Sequence, residues 1–196
     1  MHSLAFILLS VLSLLLPVIP QESHEYAPLQ EQKIAYKDWT YKSLKADAPS
    51  VNLRDWATGK KLVLVVYYAP WCGNWHNEAP VVARLYDKYH AQGLEVIAVN
   101  EYGSSDEART FFAGNKLSIP VVVESEDRAD REKTTHFGYR QTTGDTRRWG
   151  SPYNIFLEPA TFPKQGDVLA EKAWVVNGEL IEAEVEKFIR ERLGIQ

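Results

Sequence analysis

Residues 61–75 read Lys-Leu-Val-Leu-Val-Val-Tyr-Tyr-Ala-Pro-Trp-Cys-Gly-Asn-Trp, and the only cysteine of the 196-residue chain, Cys72, lies near their end. The unbroken apolar run from Lys61 to Tyr68, rich in β-branched and aromatic side chains, is the pattern of a strand covered on both faces. Beyond Cys72, Ala79, Val82, Ala83, Tyr86 and Tyr89 recur at helical spacing, and Gly93 supplies a stop. Cys72 is therefore expected at a helix N-terminus, where unpaired backbone N–H groups and the positive dipole end favour a thiolate over a thiol. With one cysteine no intrachain disulfide forms, so Cys72 is a buried hydrophobe, a free reactive thiol, or half of an intermolecular bond.

Working outward, Leu94 to Val99 reads as a second buried strand. Ser104-Ser105-Asp106-Glu107 has the form of a capping box and opens a helix carrying Ala108, Phe111 and Phe112. Val121 to Val123 reads as a third strand. Ser125 to Gly150 is charged and polar, with a short helix expected around Ala129 to Phe137 and a loop through Thr142 to Gly150. Tyr153 to Leu157 and Ala173 to Val176 read as two further strands. In a closing helix Ile181, Val185, Phe188, Ile189 and Leu193 share a face, Glu186 and Arg190 stand at i,i+4, and Gly194 ends it. Strands alternating with helices in this order predict an α/β fold, a central mixed β-sheet flanked by helices.

Residues 1–20 contain an apolar run, Leu4 to Leu16, followed by Pro17 and Pro20, and read as a signal peptide or an N-terminal anchor. The run is shorter than the roughly 20 residues a spanning helix needs, which favours the signal peptide. The domain is then extracytoplasmic, either periplasmic or secreted. Residues 21–33 are polar without an apolar period and read as a linker, leaving 34–196 as a single domain. A net charge of −4 and a pI near 5.8 give no basic footprint, so nucleic acid is not an expected partner. No His/Cys/carboxylate spacing suggests a metal site, and no cofactor is expected.

Trp71-Cys72-Gly73 behind a buried strand resembles the active-site motif of the thioredoxin superfamily, usually Trp-Cys-Gly-Pro-Cys. Pro80, eight residues after Cys72, falls where that family kinks its first active-site helix. Asp38-Trp39-Thr40-Tyr41, with Val51-Asn52-Leu53 and Gly59-Lys60, is similar to the N-terminal β-hairpin of the TlpA-like branch, the redoxins that act as membrane-associated thiol-disulfide oxidoreductases. The resemblance covers residues 35 to 195 and implies a thioredoxin fold with that hairpin as an extension. It implies Cys72 as the catalytic nucleophile within a Trp71, Gly73, Asn74, Trp75 motif. It also implies a cis-proline facing the thiol. Pro152, in Ser151-Pro152-Tyr153-Asn154-Ile155-Phe156, fits that role better than Pro120, and Ser151 would offer its backbone to an extended peptide.

Two departures bear on activity. Trp75 occupies the position of the resolving cysteine, and the acid that thioredoxins bury six residues before the first cysteine is Val66 here. Dithiol cycling is thereby excluded. A monothiol chemistry remains, in which Cys72 attacks a partner disulfide and an external thiol such as glutathione resolves the product. The competing readings are a redox-inactive peptide-binding module and a Cys72-linked homodimer. A peroxidase is disfavoured because Ala69 stands where peroxiredoxins carry Thr or Ser. His76 is a candidate modulator of the thiolate, set against the plainer reading of a solvated helix position. Arg147, Arg148 and Trp149 are candidates for binding an anionic partner, or else a solvated loop. Tyr67, Tyr68 and Trp71 are expected to pack around the site, with Trp75 capping a peptide groove.

Overall fold

The computed structural model describes residues 24–115 and 117–196. The leader at 1–20 and the start of the linker lie outside the described residues. In chain order the elements are β1 (Tyr26–Ala27), β2 (Gln30–Lys37), β3 (Thr40–Ser43), β4 (Val51–Asn52), α1 (Leu53–Ala57), β5 (Leu62–Tyr68), α2 (Gly73–Tyr89) and β6 (Leu94–Asn100). There follow α3 (Ser105–Asn115), β7 (Val121–Val123), α4 (Thr135–Thr142), β8 (Tyr153–Leu157), β9 (Val168–Val176), β10 (Glu179–Leu180) and α5 (Glu182–Leu193). Eight strands form one mixed sheet in the order β2-β9-β8-β5-β6-β7-β3-β4, and β1 pairs with β10 beside it.

The apolar run ahead of Cys72 is β5, buried along all seven residues and flanked by parallel β6 and antiparallel β8. Its alternation divides the core. Leu62, Leu64, Val66 and Tyr68 join a layer under α2, α3 and α5, whereas Val63, Val65 and Tyr67 join a second layer with Tyr36, Trp39, Leu53 and Tyr139 on the opposite face. This is the thioredoxin-type α/β architecture expected from the sequence. The N-terminal hairpin is β3–β4, with Thr40 opposite Asn52 and Tyr41 opposite Val51, seated on the β7 edge. The capping box at Ser104 is complete: Glu107 N donates to Ser104 Oγ at 3.2 Å, and Ser104 N donates to Glu107 Oε2 at 2.8 Å.

Five local readings need correction. Gln30 to Lys33, expected as linker, belongs to β2 and pairs residue by residue with β9 from Val175 to Lys172. Its side chains lie at an exposed sheet edge, so no apolar period marks it; backbone pairing holds it. The helix expected at Ala129 to Phe137 is a 3₁₀ segment, Arg128–Lys133, followed by α4, which runs on to Thr142. The last long strand starts at Val168 rather than Ala173. Glu186 pairs with Lys88 of α2 at 2.5 Å instead of with Arg190, and Ile181 caps α5 at 39% exposure rather than sharing its buried face.

Candidate functional site

β5 ends at Tyr68, and a turn in which Cys72 N donates to Ala69 O at 3.0 Å delivers Cys72 to the N-cap of α2. The Cys72 carbonyl accepts the first helical bond, from His76 N at 3.1 Å. Cys72 makes no side-chain cap bond to its own helix. Its half-buried thiol donates instead to the Ser151 carbonyl oxygen at 3.2 Å. The Ser151–Pro152 peptide bond is cis, and Ser151 Oγ accepts from Ala69 N at 2.9 Å, tying this loop to the end of β5. Ser151 and Pro152 are both buried. The structure thus brings Cys72, Ser151 and Pro152 together across 79 residues of sequence.

The remaining motif residues divide. Trp71 is half-buried beside the thiol, its Nε1 donating to the Tyr102 carbonyl at 2.9 Å. Gly73 is exposed, and Asn74 half-buried, in the first turn of α2. Trp75 does not cap a groove: it is fully buried, packed on Tyr68 with ring centroids 4.9 Å apart and on Phe111 at 5.5 Å. The helical stripe at 75, 79, 82 and 85 carries it into the core. His76 is exposed; its Nε2–H donates to the Pro70 carbonyl at 2.7 Å, and its ring meets Phe111 edge-on. The first contact holds it to the turn ahead of Cys72, the second to α3. Pro80 lies inside α2 on its exposed side, where it supplies no N–H to the turn before it.

Arg147 is not a free anion-binding group. It forms a bidentate pair with Asp145, Nε to Oδ1 at 3.0 Å and a terminal nitrogen to Oδ2 at 2.7 Å, reaches Glu25 at 3.5 Å, and donates to the Pro152 carbonyl at 2.9 Å. Arg140, buried on α4, shares Asp145 at 3.3 Å and donates to the Arg147 carbonyl. Its side chain lies against Gly150, where φ is +58° and a Cβ would fall 1.7 Å from Arg140 Nε, so glycine is required. His136 Nε2 lies 3.2 Å from the Gly150 carbonyl. Because that carbonyl only accepts, the proton sits on Nε2, and Nδ1 accepts from Tyr102 OH at 3.3 Å. Three side chains from the charged insertion therefore brace the loop that faces Cys72.

Sequence reasoning missed the buried acids, Glu78 and Glu101 among them. Glu78, on the inner side of α2, accepts from Leu180 N at 2.7 Å and Asn154 Nδ2 at 3.1 Å, while its Oε1 has no partner among the described residues. Burial pushes its carboxyl up to about 8, because leaving water costs the charged form more than the neutral acid. A charge three residues after Trp75 and four before Val82, inside an apolar stripe, was the legible signal. Glu101, fully buried after β6, has no hydrogen-bond partner for either oxygen among the described residues; burial, then the neighbouring Glu124, hold it well above the ordinary carboxylate range. No sequence pattern announced it.

These groups set a pH dependence. An acid whose folded value lies above its ordinary 4.5 binds its proton more tightly when folded, so its stability contribution is full below 4.5 and is lost as pH rises through the folded value. His136 acts oppositely. Burial and the nearby Arg140 hold it well below 6.5, so its contribution is full above 6.5 and is lost as pH falls. Above 6.5 only the acids act, and urea midpoints should fall toward pH 8. The slope per group is at most about 1.4 kcal/mol per pH unit. Glu78→Gln should flatten that decline, and an unchanged slope would remove Glu78 as its source.

A lone thiol at the N-cap of the helix after a central strand, facing a cis-proline loop, places the chain among thioredoxin-fold proteins. The model of the AhpC/TSA family matches residues 34–162, more than half of the chain, and the chain belongs to that family. ResA of Bacillus subtilis, a thiol-disulfide oxidoreductase, is 28% identical over 90 residues, a match covering 41% of this chain and half of ResA. A Citrus sinensis protein named as a phospholipid hydroperoxide glutathione peroxidase is 23% identical over 171 residues, 81% of this chain and 96% of that one. Among solved structures, a secreted thiol-disulfide isomerase from Corynebacterium glutamicum superposes with a TM-score of 0.57 at 19% identity, covering 81% and 85% of the two chains. A DsbF homologue from Corynebacterium diphtheriae gives 0.54 at 18%, covering 85% and 87%. These likenesses show the fold.

Proposed function

We propose that the protein is an extracytoplasmic monothiol thiol-disulfide oxidoreductase acting on protein thiols and disulfides through Cys72. The observation that carries this reading is the half-buried thiol at the N-cap of α2, hydrogen-bonded among the described residues only to the Ser151 carbonyl. Cys72 gives up its proton and attacks one sulfur of a partner disulfide. A Cys72–partner disulfide forms, and the other partner sulfur leaves as a thiolate that takes up a proton. A second, external thiol such as glutathione then attacks the partner's sulfur in that mixed disulfide, forming a new disulfide with the partner and restoring Cys72. Deprotonation also frees the Ser151 carbonyl to accept an N–H from a docked extended segment, so recognition and activation meet at one atom. The apolar leader and the resemblance to the TlpA-like branch support an extracytoplasmic site, with the N-terminus as a membrane anchor if it is retained.

The rival is a binding module without turnover. Trp75, buried where a resolving thiol would stand, favours it, because no second sulfur is at hand. The test is the labelling of Cys72 by a small disulfide at neutral pH, followed by mass spectrometry, in the folded and the urea-unfolded chain. Labelling about tenfold faster in the folded chain, absent in Cys72→Ser, is the expected result for a thiol activated by a helix terminus. Labelling only after unfolding would leave the binding module. A reducible dimer on size-exclusion chromatography, with no labelling of the native form, would mark Cys72 as an intermolecular link.

A further inference from the structure

We infer that the rim beside Cys72 selects partners whose disulfide is flanked by carboxylates; this rests on the oxidoreductase reading and names its substrate class. Trp71, adjacent to the thiol, meets Trp149 edge-on with centroids 5.3 Å apart, and Trp149 also packs on Tyr102 at 5.6 Å. Both indoles are half-buried and held in place. The Arg128 guanidinium lies 4.1 Å from the Trp71 ring centroid, and those of Arg148 and Arg131 lie 5.1 and 5.6 Å from the Trp149 centroid. An arginine stacked on an indole keeps its N–H edge available for a carboxylate, and the rigid ring lowers the entropy lost on binding.

The local charges favour an anion here. Arg131 is paired with Glu132, and Lys133 with Asp130. Asp127 caps Ala129 N, Glu126 accepts from Ser105 N, and Glu124 accepts from Thr135 N. Arg128 and Arg148 form no ion pair among the described residues and are both exposed. Elsewhere Lys37, Lys60, Arg84, Lys88 and Lys172 each meet a carboxylate, and others that do not, such as Lys45, Lys164 and Arg190, stack on no aromatic ring among the described residues. In a chain of net charge −4, two uncommitted guanidinium groups stack on the indole that precedes the one thiol in the chain and on the indole packed against it. An anionic partner is repelled by the molecule as a whole and attracted at this rim, which orients its sulfur toward Cys72. The carboxylates of a glutathione-type disulfide and of an acidic protein segment share this chemistry.

The experiment compares the reaction rates of folded, reduced protein with neutral dithiodipyridine, anionic dithiobis(nitrobenzoate) and cationic cystamine. Each rate is divided by that of the urea-unfolded chain with the same probe. The normalised anionic-to-cationic ratio should be about ten or more and should shrink as salt is raised. Arg128→Gln combined with Arg148→Gln should bring it near one. Paired arms with glutathione disulfide and with a peptide disulfide flanked by Asp identify the source, since the preferred one loses more rate in the double variant. A wild-type ratio near one, with the neutral probe still reacting fast, overturns the charge selection alone. A neutral probe no faster on the folded than on the unfolded chain overturns the oxidoreductase reading, and this inference falls with it.

Discussion

Trp75→Ala should lower the free energy of unfolding by about 3–5 kcal/mol, the cost of removing a large aromatic from a packed core and leaving a cavity. Trp75 has no exposed surface and contacts Tyr68, Phe111 and Phe112, so three elements, β5, α2 and α3, meet on its ring. None of these neighbours is a flexible side chain able to collapse into the space. Urea unfolding followed by far-UV circular dichroism measures the change, and a loss under about 1 kcal/mol would mean that the helices close the gap. The same packing bears on chemistry. Trp75→Cys would restore a Cys-x-x-Cys spacing yet create much the same void, so the dithiol form is separated from this sequence by a stability cost as well as by one residue. Tyr68, Phe111 and Phe112 pack on the indole, so the core at this position is filled by a ring and not by a second sulfur.

What could be read from the sequence was what local pattern controls. β5, α2 and the capping box of α3 each carry a period or a spacing that physical chemistry interprets without tertiary information. Cys72 was legible because a strand, a turn and a helix start follow one another within a dozen residues. Ser151 and Pro152 came from resemblance, since nothing local says that residue 151 touches residue 72. Segments stabilised by partners far away were misread or missed. Gln30 to Lys33 has no apolar period because an edge strand needs only a backbone neighbour. Arg140 and Asp145 lie in a stretch read only as charged and polar, because a charge in sequence carries no mark of burial. Trp75 was assigned to a groove for its amphipathic ring, although its place in the helical stripe, four residues before Ala79 and seven before Val82, pointed inward.

Asp145→Ala should cost about 3–5 kcal/mol, because it leaves two guanidinium groups without their shared anion in a site that excludes water. The side chains of Asp145 and Arg140 are each 2% exposed, and that of Arg147 is 19% exposed. The two arginines hold the Asp145 carboxyl below its ordinary range even though burial alone would raise it. The energetic loss has a geometric consequence. Arg147 is aimed at the Pro152 carbonyl by its bidentate hold on Asp145, and Arg140 fills the space beneath Gly150. Without the carboxylate both arginines turn toward solvent, and the Ser151 carbonyl loses its fixed distance from Cys72. Arg147 is in this sense a positioning residue. In conditions where the variant remains folded, its rate with a peptide disulfide, which uses the loop, should fall several-fold more than its rate with iodoacetamide, which needs only the sulfur. Equal falls in the two rates would assign the ion cluster to stability alone, whereas a peptide-specific fall would tie the charged insertion to the geometry of the reacting site.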